Sequence, residues 1–200
     1  MEGNVRIYLI RHGETDWNKE LRIQGREDIP LNSHGIEQAE ECGRAFQPLK
    51  IDCIVTSPLI RAVQTAKEIA KYVGVKEVII DERLIERDYG LLSGSTLSFK
   101  EAFTVDDKEA NMEAWEIVSE RMLSCLNEYK EKQDKNNVIM VSHGAAIKSV
   151  LTELSKLQNG MEINRLKNAC INILQGNETS FDIVNYNLSA SEMSEILESQ

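Results

Sequence analysis

Six short apolar runs alternate with longer segments in which apolar residues return every three or four positions. This alternation restricts the chain to an α/β fold, a mostly parallel sheet crossed by helices. The runs are Val5 to Ile10, Ile51 to Thr56, Glu77 to Ile80, Val138 to Ser142, Ala169 to Leu174 and Phe181 to Tyr186. The last two are separated only by the turn Gln175-Gly176-Asn177-Glu178, short enough for an antiparallel hairpin at one edge.

The intervening segments read as amphipathic helices. Behind Asn32 as N-cap, the residues Ile36, Ala39, Gly43 and Phe46 fall on one stripe. A second helix is expected with Ser57 as cap and Pro58 at its first position. It buries Ala62, Ala66, Ile69, Ala70 and Val73 and stops at Gly74. A third covers about Glu109 to Gln133, with Trp115, Val118, Met122, Cys125, Leu126 and Tyr129 inward, and a fourth runs from Gly144 to about Leu157. Residues 87–111 carry Gly, Ser and Asp clusters and read as an excursion over the site within a single domain spanning 1–200. The acidic tail from Ser189 is expected to be mobile.

Charge narrows the partners. Twenty-three Lys plus Arg against 33 Asp plus Glu give a net charge of −10, which disfavours nucleic acid and anionic membranes. No apolar run approaches the roughly 20 residues of a membrane span and no secretory signal opens the chain, so a cytosolic (cytoplasmic) protein is expected. In that setting Asn177-Glu178-Thr179 and Asn187-Leu188-Ser189 carry no meaning as glycosylation sites, and Cys42, Cys53, Cys125 and Cys170, without a C-x-x-C pair, read as buried thiols.

Three of the apolar runs end directly in residues suited to an anion: Arg11-His12-Gly13-Glu14-Thr15, Thr56-Ser57-Pro58-Leu59-Ile60-Arg61 and Ser142-His143-Gly144. In an open parallel sheet the carboxyl ends of strands and the helix N-termini lie along one edge, so these residues converge. Arg61 is the most informative, because a cation in the first turn of a helix opposes the partial positive charge there and calls for something negative nearby. Two of the three histidines, His12 and His143, stand in His-Gly pairs at strand ends. The rival reading, a zinc site from His12, His143 and a carboxylate, sets a cation beside Arg11 and Arg61.

Arg11 to Thr15 with Asn18, then Gln24-Gly25-Arg26-Glu27-Asp28-Ile29-Pro30-Leu31 running to Gly35 and Gln38-Ala39, resembles the opening of the histidine phosphatase superfamily, the phosphoglycerate-mutase-like proteins. Thr56 to Ala66 resembles its second motif, Leu84-Ile85-Glu86 with Tyr89-Gly90 its acid loop, and Val141-Ser142-His143-Gly144 its last. The resemblance implies a three-layer α/β/α sandwich and a metal-independent phosphomonoesterase without a cofactor. It would act on a small phosphorylated metabolite. It makes His12 the nucleophile that forms a phosphohistidine, and Arg11 and Arg61 the donors to the phosphoryl oxygens. His143 adds a donor, and the helix after Gly144 is expected to turn backbone N–H groups towards the anion. Glu86 serves as general acid and then base, although Glu82 and Asp88 are also present and only the motif singles it out.

Asn18 matches a phosphate-binding position and reads equally as a turn residue; Gln24 and Gly25 are expected at the pocket mouth. Glu14 and Thr15 are expected to shape the loop, Ser57 to cap a helix, Trp115 to lie in the core and His34 to face solvent. Residues 95–111 hold four acidic residues and two lysines where mutases of the family carry a basic insertion, which favours hydrolysis. Leu92-Ser93 stands where many phosphatases have Trp-Glu. The alternatives are a cofactor-dependent phosphoglycerate mutase and a non-catalytic phospho-ligand sensor, the latter opposed by the joint presence of His12, Glu86 and both arginines.

Overall fold

The structure, a computed structural model, describes residues 5–96, 105–132, 136–157 and 162–199. The expected helix end at Gln133 and the middle of the 87–111 excursion lie outside the described residues. Six strands form one sheet: β1 (Arg6–Arg11), β2 (Cys53–Thr56), β3 (Val78–Ile80), β4 (Asn137–Ser142), β5 (Ile171–Gly176) and β6 (Phe181–Leu188). Their order is β3-β2-β4-β1-β5-β6. The first four are mutually parallel, while β5 runs antiparallel to both β1 and β6.

Side chains alternate across the sheet, as strand geometry requires. Ile7, Leu9, Val55 and Met140 join the cluster beneath α4 (Trp115–Glu131) and α5 (Gly144–Leu157). Tyr8, Ile10, Ile54 and Ile139 join the cluster beneath α2 (Ser33–Phe46) and α3 (Ile60–Val73), where Met193 of α6 (Ala190–Glu198) also packs. This is the α/β/α sandwich expected. A short helix α1 (Asp16–Lys19) lies between β1 and α2. Each fully buried Ile or Leu in the two clusters contributes about 1.5–3 kcal/mol of apolar burial. All four cysteines are free, buried thiols.

Several local expectations are corrected. In α2, Asn32 caps as expected, its Oδ1 accepting from the Gly35 N–H at 2.8 Å, but Ile36 is exposed and Gly35 and Cys42 face inward instead. The face is set by the close approach of Gly35 to the loop after β1: a Cβ there would lie 2.1 Å from the Glu14 carbonyl oxygen. Ser57 does not cap α3. The helix begins two residues after Pro58 behind Leu59, whose side chain supplies no cap, the Ile60 N–H donating instead to Asp28 Oδ1 at 2.6 Å, and it ends as expected at Gly74, whose φ is +72°. The hairpin turn is Asn177 to Ser180, two residues later than expected, closed by Asn177 Oδ1 accepting from the Thr179 and Ser180 N–H groups. Helix α4 starts at Trp115 and not near Glu109, because Asn111 takes a left-handed φ of +53° and the Glu113 N–H is bonded elsewhere. The tail is ordered: Ser189 and Glu192 form a capping box for α6.

Gly13 and Gly35 form the tightest backbone crossing beside the strand ends, a Cβ on Gly13 falling 2.3 Å from the Gly35 carbonyl oxygen. Gly35→Ala is therefore expected to lose about 1–3 kcal/mol of unfolding free energy in urea titrations. Unchanged stability would show that the two backbones can separate freely.

Candidate active site

The parallel register carries the site. Arg11 pairs with Ser142 and Thr56 with Val141, so β1, β4 and β2 end side by side. The chain continues in register one residue further, with the His12 N–H donating to the Ser142 carbonyl at 3.0 Å and the Ser57 N–H to Val141 at 3.0 Å. The Gly13 N–H donates to Thr65 Oγ1 at 3.1 Å, which ties the loop to α3.

His12 is buried, and its Nδ1 lies 2.7 Å from the Gly13 carbonyl oxygen. A carbonyl only accepts, so Nδ1 carries the hydrogen and the lone pair of the neutral ring sits on Nε2. Burial, Arg61 and Arg11 hold the imidazole well below its usual pKa of 6.5, keeping it neutral at pH 7. His143 is fully buried with its ring centroid 5.1 Å from that of His12. Its Nε2 bonds Ser57 Oγ at 2.7 Å, its Nδ1 has no partner among the described residues, and burial and Arg61 lower its pKa in the same way.

Arg61 is completely buried in the first turn of α3. Its Nη atoms donate to the Glu27 and Gly25 carbonyls at 2.6 and 2.7 Å, and its Nε has no partner among the described residues. Burial draws its pKa down to about 10. Arg11 donates through Nη1 to the Leu166 carbonyl at 2.7 Å and also leaves Nε without a partner. Burial lowers its pKa too, against the pull of Cys170 and Glu86. Among the described residues neither guanidinium has a carboxylate at ion-pair distance, whereas buried charge is ordinarily paired. Both face a cavity of about 150 Å³.

Glu86 lies on the same cavity, and its carboxylate is held by three amides. Oε1 accepts from Ala146 and Arg87 N–H at 2.9 and 2.8 Å, and Oε2 from Ala145 N–H at 3.2 Å. The amides opening α5 are thus spent on Glu86 and not offered to an outside anion, contrary to expectation. Asn18, Gln24 and Gly25 line the same wall. Asn18 serves as the turn residue of a capping box with Thr15, and with its Oδ1 accepting from Thr15 and Asn168, its Nδ2 is the end left for a ligand. Gln24 is buried with an unpartnered Oε1, and Gly25 adopts a φ of +52° that presents its carbonyl to Arg61. Of the eight expected residues, seven share the cavity wall; His143 abuts His12 without being part of it.

Sequence reasoning missed Arg22, Lys148 and Arg165 on the wall, and Asn168, whose Nδ2 reaches the His12 and Gly13 carbonyls at 3.3 Å and Asn18 Oδ1 at 3.0 Å. Lys148 alone had a signal, standing one helical turn beyond Gly144; the others lie in loops. Trp115 is a correction: it lines the cavity, with the Arg87 guanidinium 4.5 Å over its ring and 5.4 Å from that of Tyr89. His34 is exposed as expected. Among the described residues five basic residues and one acid therefore line the cavity of a chain whose net charge is −10. Among the described residues no group of three His, Cys, Asp or Glu is placed to hold a metal ion, and no helix is long and apolar enough to cross a membrane.

This arrangement of two strand-end histidines, two buried arginines and one amide-held glutamate defines a class. Residues 7–189 match the family model of the histidine phosphatase superfamily, branch 1, and the chain belongs to that family. It is 38% identical over 184 residues to the uncharacterized phosphatase PhoE of Bacillus subtilis, spanning 92% of this chain and 95% of the relative. It is 37% identical to a probable phosphoglycerate mutase GpmB of Cronobacter sakazakii, over 84% of this chain and 83% of that one. Among solved structures, a phosphoserine phosphatase from Entamoeba histolytica superposes with a TM-score of 0.78 at 27% identity, covering 94% of this chain and 98% of its own. A mycobacterial glucosyl-3-phosphoglycerate phosphatase in complex with VO3 gives 0.80 at 26%, over 92% and 100%.

The two depressed histidines make stability pH-dependent. Below about pH 6.5 the unfolded chain takes up protons that the folded rings refuse, so unfolding free energy falls as pH drops from about 7 to about 5. The slope is at most about 1.4 kcal/mol per pH unit for each ring. Denaturant titrations of His12→Gln/His143→Gln are expected to show a shallower slope than the parent; an identical slope would place both rings in contact with water.

Proposed function

We propose that the chain is a phosphatase that hydrolyses small phosphomonoesters through a phosphohistidine on His12. The observation that carries this is the locked tautomer: with Nδ1–H bound to Gly13, the nucleophilic lone pair of Nε2 belongs to the cavity it shares with two guanidiniums lacking a carboxylate partner. In the first half-reaction Nε2 attacks phosphorus and the ester P–O bond breaks. Protonated Glu86 delivers its proton to the departing oxygen, leaving an alcohol. In the second, the Glu86 carboxylate takes a proton from water as the water oxygen attacks phosphorus and the P–N bond breaks, releasing phosphate and restoring Nε2.

Arg11 and Arg61 bear the charge on the non-bridging oxygens, the principal demand of phosphoryl transfer. His143 offers its unpartnered Nδ1 to the same oxygens, while Ser57 fixes its other nitrogen. Asn18 Nδ2 is a further donor. Arg22, Lys148 and Arg165 support a substrate bearing a second anionic group, such as a carboxylate near the ester.

Hydrolysis is favoured over phosphoglycerate mutation because the basic residues beside the acid loop are already neutralised. Arg87 pairs with Asp107 at 2.5 Å, and Arg26 with Glu113 and Asp88 at 3.2 and 3.6 Å, so these two arginines add no uncompensated charge to the basic wall of the cavity.

Phosphate release from carboxylated and neutral phosphomonoesters, with and without chelator, tests the assignment. His12→Ala is expected to lose at least about 1000-fold in kcat/KM and to trap no acid-labile phosphoprotein. Arg61→Met should lose about 100- to 1000-fold. Full activity in His12→Ala would remove the covalent route, dependence on metal would remove the metal-free one, and exclusive interconversion of 2- and 3-phosphoglycerate would make the enzyme a mutase.

A further inference from the structure

The acid loop leaves β3 and is neither strand nor a full helix, so its carbonyls have no ladder to join and need other partners. One side chain supplies three of them, while the Asp81 and Glu82 carbonyls accept within the loop and that of Leu84 accepts from Ser142 Oγ. Arg121, on the second turn of α4, donates through Nη1 to the Arg83 and Ile85 carbonyls at 2.7 and 2.6 Å and through Nη2 to the Glu86 carbonyl at 3.2 Å. The same guanidinium forks onto Glu113, Nε to Oε1 at 2.9 Å and Nη2 to Oε2 at 3.0 Å. Glu113 also grips the loop: its Oε2 accepts from the Asp88 N–H at 3.2 Å, and its own N–H donates to the Asp88 carbonyl at 2.9 Å. Arg26 closes the ring, donating to the Glu86 carbonyl at 3.3 Å and pairing with Glu113. Arg121 and Glu113 are largely buried, at 16% and 9% side-chain exposure, so the fork is shielded from competition by water.

Glu86 is consequently held at both ends, its carboxylate by the amides opening α5 and its backbone by Arg121. Neither Arg121 nor Glu113 lines the cavity, so neither touches substrate. We infer that the Arg121–Glu113 pair is a positioning device that sets where the Glu86 carboxyl meets the leaving oxygen. The inference rests on the acid–base role proposed for Glu86. A displacement of about 1 Å at a reacting group can cost about 100-fold in rate, and lysine cannot span three carbonyls and a carboxylate at once.

The test separates positioning of the acid from general loss of structure by varying the leaving group. Expulsion of p-nitrophenolate needs no proton, whereas expulsion of an alkoxide does. For Arg121→Lys, kcat/KM on alkyl phosphates is expected to fall about tenfold or more relative to the parent, while kcat/KM on p-nitrophenyl phosphate stays within about twofold. Glu113→Gln, which keeps an acceptor for Asp88, should show the same selective loss in smaller measure and provides the reading if Arg121→Lys does not fold. Glu86→Gln is measured alongside. If it shows the leaving-group selectivity and the Arg121 and Glu113 variants do not, the positioning role is overturned while the acid assignment stands. Equal losses on both substrate types in the Arg121 and Glu113 variants overturn it in the same way. If Glu86→Gln itself shows no selectivity, the acid assignment falls and the positioning role with it.

Discussion

Six residues of β1 run parallel to six of β4 in unbroken register, from Arg6 opposite Asn137 to Arg11 opposite Ser142, and β2 flanks β4 so that Thr56 meets Val141. Because the backbone bonds of this ladder are obligatory, the three strands stop at one level. The residues just beyond the strand ends therefore meet without any further device: His12 past β1, His143 past β4, and Arg61 one short loop and a helical turn past β2. A slip of one residue would exchange the faces on which Leu9 and Ile10 lie and separate the two imidazoles. The apolar clusters on both faces penalise such a slip.

At the end of this ladder the site stores electrostatic cost. Among the described residues two guanidiniums are buried with only backbone carbonyls as partners and with the Nε of each unbonded, and two imidazoles beside them are held neutral. Such an arrangement weakens the resting fold, and under the proposed phosphatase reading it is what a phosphoryl dianion would exploit, since the donors are already oriented and already out of water. Among the described residues Glu86 is the one acid lining the cavity, and amides and not cations hold its carboxylate. That choice leaves Arg11 and Arg61 uncommitted. A direct Glu86–Arg pair would have neutralised the charge on which the proposed phosphoryl binding depends.

The scaffold around the acid loop follows a different logic from the cavity. There the charges are paired: Arg121 with Glu113, Arg87 with Asp107, Arg83 with Asp81 and Glu128. Around the loop paired charges hold the geometry, whereas in the cavity Arg11 and Arg61 have no carboxylate partner among the described residues. The division runs along the loop itself, with Glu86 facing the cavity and its neighbours facing away.

The alternation of apolar runs with helical periods, read from the amino-acid order, was enough to place all six strands within two residues at each end and to put His12, Arg61 and His143 at strand or helix ends. These are consequences of local periodicity and of the rule that ligands meet parallel sheets at their carboxyl edge. Tertiary contacts alone decided the rest. The inward face of α2 was set by the backbone crossing at Gly35 and not by its apolar stripe, Trp115 lines the cavity while packing on the apolar cluster of Ile23, Tyr89 and Met112, and the tail was ordered by Met193 entering the sheet-side core. The amides opening α5 went to Glu86, and Arg121, 35 residues further along the chain, became the support of that residue's backbone. Periodicity reports which way a side chain faces relative to its own element. It carries no information on which distant polar group will satisfy it, because that depends on the packing of all the elements together.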